Sequence, residues 1–200
     1  MTMRRIRIGL WVVVGLAALV GLVIALRPMS GDSQSASSGS LMEIGGPFTL
    51  TGTDGRAFSS ERLTGKPYAL FFGFTHCPDV CPTTLARLAR LRAAIGKGNA
   101  SFSIVLVTVD PERDTPAAMA RYVGLFATPV IALTGSIGAI ERVKKLYGVY
   151  SARVPQVGAD YNVDHTATVF LIDKDGKFGA TISPNEGDAV ARAKLERLTN

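Results

Sequence analysis

Thiols and imidazoles are scarce in this sequence: of 200 residues only two are cysteine, Cys77 and Cys81, and only two are histidine, His76 and His165. A disulfide framework is excluded, and any thiolate or imidazole chemistry has to be built from those four side chains. Glycine and proline, at 21 and 10, are too few for a collagen-like or low-complexity chain, and 47% apolar with 19% charged residues is too hydrophobic for a disordered one. No internal repeat marks a solenoid. The length suits one domain, or one domain plus an appendage. Acidic residues are outnumbered, 16 against 22 basic, but no run of Lys and Arg interleaved with aromatics accompanies the excess. Four of the basic residues (Arg4, Arg5, Arg7 and Arg27) and one acidic residue (Asp32) fall in the first forty positions, so residues 41–200 carry only +3 of the net +6. The charge gives no support to a nucleic-acid partner.

Residues 8–26 lack charge altogether. From Ile8 to Leu26 the chain is apolar throughout, and at about 1.5 Å per residue it approaches the thickness of a hydrocarbon core. Arg4, Arg5 and Arg7 precede it and Arg27 follows, so the positive-inside rule keeps residues 1–7 in the cytoplasm and sends the rest across. A cleavable signal peptide is the competing reading, but its apolar region is shorter and ends in small residues, whereas this one ends Ala25, Leu26, Arg27, Pro28. A mitochondrial presequence would be amphipathic and Ser-rich, and this start is neither. The expectation is a single-pass transmembrane anchor in a bacterial inner membrane with the C-terminal domain in the periplasm. Residues 27–40, rich in Ser and Gly, read as a flexible tether, and residues 41–200 as the folded domain.

Within that domain strands and helices alternate. Phe48 to Phe58 alternates apolar and polar around Asp54 and Gly55, the pattern of a small hairpin. Residues 68–75 and 102–109 are near-continuous apolar runs, as expected of strands buried on both faces. Between them Leu85, Leu88, Leu91 and Ile95 share one helical face, with Pro82 opening and Gly96 stopping the helix. Thr115 and Pro116 open a helix to about Phe126. Residues 129–133 form a strand, and 136–147 a helix closed by Gly148. An irregular stretch follows. Residues 166–172 and 177–183 then flank a turn at Asp173 to Gly176, and 186–198 form a last helix. The Asp173 turn lacks the remaining ligands of a calcium loop. The order predicts an α/β sandwich of thioredoxin type, a central mixed sheet with helices on both faces.

The first long strand ends directly in His76, Cys77, Pro78, Asp79, Val80, Cys81 and Pro82, so both thiols fall at the carboxyl end of a buried strand, where open α/β sheets place ligands. Pro78 and Pro82 disfavour helix at the residues before them, which predicts both thiols on the loop and a helix start near Pro82. The N-terminus of that helix then favours thiolate. Three residues between the cysteines, where a disulfide exchanger usually has two, give a bite that can accept a metal ion. His165 precedes the strand 166–172, and in this architecture its loop can lie beside the thiols. Two thiolates and one imidazole are a soft, trigonal set that suits copper in either oxidation state; zinc would call for a fourth ligand or a catalytic water. His76 is open to three readings: ligand, hydrogen-bond partner of a thiol, or solvent-facing loop residue. Asp79 reads as a solvated turn carboxylate or a weak oxygen ligand. Asp110 to Asp114, at the end of the next strand, caps a helix or docks a partner.

The stretch from Phe72 to Leu85 (FGFTHCPDVCPTTL), then Val109 to Pro116 (VDPERDTP), Leu133 to Gly135, Tyr147 to Val149 and Asp164 to Ala167 (DHTA) resemble, in order and spacing, the Sco proteins of SenC/PrrC type. The resemblance covers residues 41 to about 185 and the single anchor. It implies a thioredoxin-like fold and one copper ion, Cu(I) or Cu(II), held by Cys77, Cys81 and His165. It further implies a role in assembling the copper A centre of cytochrome c oxidase subunit II, served by a copper donor and a periplasmic thiol reductant. The rival reading is a thiol-disulfide oxidoreductase or redox sensor cycling Cys77 and Cys81 between dithiol and disulfide. Against it stand the third intervening residue and His165 in place of the cis-proline that thioredoxin-like enzymes keep before that strand.

Overall fold

The structure, a computed structural model, describes residue 19 and residues 44–156 and 161–200. The anchor expected at 8–26 and the tether at 27–40 lie outside the described residues apart from Leu19; among the described residues no helix is long and apolar enough to cross a membrane. Glu43–Asn200 is one compact unit.

The strands of this unit are β1 (Thr49–Gly52), β2 (Ala57–Ser59), β3 (Tyr68–Gly73), β4 (Ser103–Thr108), β5 (Ile131–Thr134), β6 (Ser151–Pro155), β7 (Tyr161–His165), β8 (Val169–Ile172) and β9 (Phe178–Ile182). Its helices are α1 (Val80–Ala94), α2 (Pro116–Val123), α3 (Ile137–Tyr147) and α4 (Asp188–Leu198). Seven strands form one sheet in the order β2-β1-β5-β4-β3-β8-β9. β3, β4 and β5 run parallel, while β1 and β8 join them antiparallel, so the sheet is mixed. All six residues of β3 are buried whichever face they point to, which requires cover on both faces and explains the unbroken apolar run. α2 packs on β5, α3 on β1, and α4 on β8, β9 and α1. This is a thioredoxin-like α/β fold.

Local chemistry sets the boundaries. Thr115 caps α2 by accepting from the Ala118 N–H, with Pro116 in its first turn, and the helix ends at Val123, three residues short of the expected Phe126. Gly148 closes α3 in the left-handed conformation, φ 64°. The hairpins at Asp54-Gly55 and Asp173-Gly176 form as their turn residues dictate. Three expectations are corrected. α1 begins at Val80, not Pro82, so Cys81 is helical: a proline in the first turn forfeits no intrahelical bond, and the pre-proline bias yields to that turn. The stretch after Gly148 is not irregular but holds β6 and β7, a separate antiparallel pair with Ser151 opposite His165. The strand expected from 166 begins at Val169.

Candidate metal centre

β3 delivers the chain to the site. Phe71 and Phe72 are fully buried, as is Phe74 just beyond the strand, and the turn that follows places Cys77 beside a cleft and Cys81 beneath it. Cys81 is wholly buried, and Gly73 makes room for it: a Cβ there would stand 2.9 Å from the Cys81 sulfur. From the other side β7 brings His165. Its ring meets Phe71 and Phe74 edge to face, at 6.0 and 5.7 Å between centroids. The donor atoms of Cys77, Cys81 and His165 all lie within 4.8 Å of one another. Donors held at about 2.0–2.3 Å by one trigonal ion stand roughly 3.5–4 Å apart, so little movement would close the set around a metal.

Hydrogen bonds orient the donors. His165 Nδ1 lies 3.1 Å from the Thr166 carbonyl, which can only accept, so Nδ1 carries the proton in the neutral ring. That leaves a lone pair on Nε2, 3.5 Å from Cys81 Sγ, which is the tautomer a metal requires. The Cys81 backbone N–H, in the first turn of α1, donates to Cys77 Sγ at 3.4 Å. The two thiols are unequal. The Cys77 thiol is lowered to about 4, chiefly by the hydrogen bond from the Cys81 thiol, with backbone N–H groups adding to it and burial opposing it. The Cys81 thiol is pushed up, by its bond to Cys77 and by burial. Cys77 is therefore the thiolate of the pair, as its place at the helix N-terminus leads one to expect. Both cysteines are free, and the cleft over them holds about 230 Å³ between Pro78, Val80, Asn162 and Ala167.

Among the described residues no fourth His, Cys, Asp or Glu joins the cluster. His76 is exposed and turns to Thr75, with 3.0 Å between its Nδ1 and Thr75 Oγ1. Asp79 is the N-cap residue of α1 and accepts from Thr83 Oγ1 at 3.2 Å. Asp114 does not cap α2 but turns inward, wholly buried, accepting from Thr108 Oγ1 at 2.6 Å, Thr75 Oγ1 at 2.6 Å and the Thr75 N–H at 3.1 Å. It thereby ties the end of β4 to the start of the cysteine loop. Sequence reasoning missed this tie, the Gly73 contact and the strand that carries His165; only the last had a signal, the alternation of Tyr161, Val163 and His165 with polar residues.

The chain resembles known proteins along most of its length. It is 34% identical over 165 residues to a SCO2-like protein of Rickettsia prowazekii, covering 82% of this chain and 80% of that one. Among solved structures, "Bradyrhizobium japonicum ScoI with copper bound" aligns with a TM-score of 0.70 and 42% identity over 78% of this chain and 99% of that one. Yeast Sco1 with copper bound aligns with a TM-score of 0.70 and 31% identity, over 78% and 87%. The SCO1/SenC family model matches residues 36–200, which takes in the whole thioredoxin-like unit and every residue of the cluster, so the chain belongs to the SCO1/SenC family.

Proposed function

We propose that this chain is a membrane-tethered copper chaperone that takes one copper ion as cargo on Cys77, Cys81 and His165 and serves assembly of the copper A centre of cytochrome c oxidase subunit II. The observation that carries the reading is the convergence of three soft donors around an imidazole already in its metal-binding tautomer. The copper-bound relatives support it. Copper is the ion such a set suits, and cargo leaves by ligand exchange, each departing bond replaced by one from the acceptor. The apolar run 8–26 anchors the domain in the bacterial inner membrane, and the tether lets it reach an acceptor in the same membrane from the periplasmic side. A periplasmic thiol reductant and a copper donor complete the cycle, since an oxidising compartment joins the two thiols unless they are reduced.

One observation favours a second reading on the same pair. A thiolate at Cys77 beside a protonated Cys81 is the arrangement of a dithiol reductant: Cys77 attacks a partner disulfide, Cys81 gives up its proton and displaces the partner, and the pair ends oxidised. His165→Ala separates the two. The reduced protein is expected to bind about one copper, as the three-ligand count requires, and the substitution to weaken binding at least tenfold while the Cys77–Cys81 disulfide still forms. Undiminished affinity in the variant, or no copper on the wild type, sinks the chaperone reading.

A further inference from the structure

The hairpin that carries His165 belongs to neither the main sheet nor the cysteine loop. β6 and β7 pair only with each other among the described strands, and a lone two-stranded hairpin is marginally stable in water. Side chains must therefore decide where His165 stands. Tyr161, Val163 and His165 alternate along β7 and share its inner face, with Val163 buried in the core. At about 3.3 Å per residue, Tyr161 lies roughly 13 Å from His165 along that face. One end of the strand meets the thiols at the end of β3; the other meets Asp110, just past the end of the neighbouring strand β4.

The contacts at that second end are dense. The Tyr161 hydroxyl donates to Asp110 Oδ1 at 2.8 Å. Arg113 Nη1 donates to the Tyr161 carbonyl at 2.9 Å, and the Arg113 guanidinium lies 3.7 Å from the centre of the Tyr161 ring. Arg113 Nε also donates to Asp110 Oδ2. Arg153, from β6, sits 4.6 Å over the same ring and pairs with Glu112. Asp110 is only 1% exposed, and its own N–H is tied to Thr108 Oγ1 at 2.9 Å, so the carboxylate is fixed to β4. A buried carboxylate is costly without partners, so this contact is a specific tie rather than a solvated surface pair.

We propose that Asp110, Arg113 and Tyr161 form a latch that positions His165 against the thiols, so that the latch sets whether the site offers an ion three donors or two. The inference rests on the copper reading of the site. None of the three residues belongs to the donor cluster; each acts through the register and placement of β7. With the latch intact, the imidazole is presented in one orientation before the ion arrives. With it broken, the Tyr161 end of β7 loses its tie to Asp110 at the end of β4, and the imidazole at the other end is held less firmly against the two sulfurs on the main body.

The test is a double-substitution cycle on the full chain. Arg113→Gln is expected to lower copper affinity about tenfold or more, the scale seen when groups that orient metal ligands are lost. Tyr161→Phe, which keeps the ring, is expected to do so more mildly and serves if Arg113→Gln fails to fold. In a His165→Ala background either substitution is expected to change affinity less than about twofold, because there is no imidazole left to position. Equal losses in both backgrounds, or no loss beside a native His165, overturn the proposal. A second readout needs no copper: the imidazole nitrogen resonances of His165 in the apo protein are expected to report one Nδ1-protonated form in the wild type and averaged forms in the latch variants. Identical spectra overturn the latch. If the wild type binds no copper, the site reading fails separately and these spectra alone decide the latch.

Discussion

Gly73→Ala places one methyl group where the site can least accept it. The residue is buried at the end of β3, and the added carbon would stand 2.9 Å from Cys81 Sγ, 2.9 Å from Phe71 Cε1 and 3.3 Å from Leu106 Cδ1. Ordinary carbon contacts begin near 3.5 Å, so the sulfur has to retreat by about half an ångström or more. It has no flexible chain to retreat along, since Cys81 is wholly buried. Overpacking of this kind costs about 1–3 kcal/mol, which for a unit of this size lowers the melting temperature by roughly 2–12 °C. The effect on metal should be larger than the effect on folding, because ligand distances tolerate only about 0.2 Å. Copper affinity, measured by competition titration of the reduced protein, is expected to fall at least tenfold, on the scale of disturbed ligand orientation. Gly148→Ala is the control: its φ of 64° strains any side chain by about 1–2 kcal/mol, but nothing lies within 4 Å of the new carbon. It should destabilise comparably and leave copper binding alone. Wild-type copper affinity in Gly73→Ala, or equal losses of affinity in both variants, would refute the reasoning.

Two further outcomes follow from the electrostatics. With its thiol lowered to about 4, Cys77 stays thiolate from neutral pH down to mild acid and loses that form only as pH falls through 4. Its alkylation by iodoacetamide, followed peptide by peptide by mass spectrometry, should therefore persist at pH 5, while buried Cys81 stays unmodified; a Cys77 midpoint near the free value of about 8.5 refutes this. Burial pushes the Asp114 carboxyl above its ordinary range despite the bonds from Thr108 and Thr75. Because the folded state holds that proton more tightly than the unfolded one, ionising Asp114 costs stability as pH rises from the unfolded value of about 3.9 through the higher folded value. Asp114→Asn removes that part of the pH slope, to be read from urea midpoints across the acid range, and an unchanged slope counts against it.

How much of this could be read in the sequence depended on whether the decisive interaction was local. β3 and β4 are legible because cover on both faces leaves no polar position to interrupt them, and the helix ends are legible where Thr115 and Gly148 act on their own neighbours. β7 was hidden because five residues, with polar Asn162 and Asp164 between Tyr161, Val163 and His165, carry too short an alternation to stand out from a loop. The start of α1 was misplaced because the pre-proline rule is a preference of the isolated chain, and a first helical turn outweighs it at Cys81. The cluster of Cys77, Cys81 and His165 was foreseen through strand position and family resemblance. Its tautomer was not, since a backbone carbonyl at Thr166 leaves no trace in residue identity.

The two cysteines, equivalent as letters, are made unequal by the fold, and that inequality gives the proposed site a direction. Cys81 Sγ lies under Gly73, with no solvent path of its own, whereas Cys77 and His165 both line the cleft. An incoming acceptor ligand can therefore reach a bound ion only past those two, and Cys81 is the donor least open to replacement. Of the two that line the cleft, Cys77 is fixed to the main body by the turn into α1, while His165 rides on the hairpin. Exchange is easiest at the donor whose support is least joined to the main sheet, so in the proposed chaperone His165 is the bond expected to break first, and the contacts that hold its hairpin govern how readily the cargo would leave.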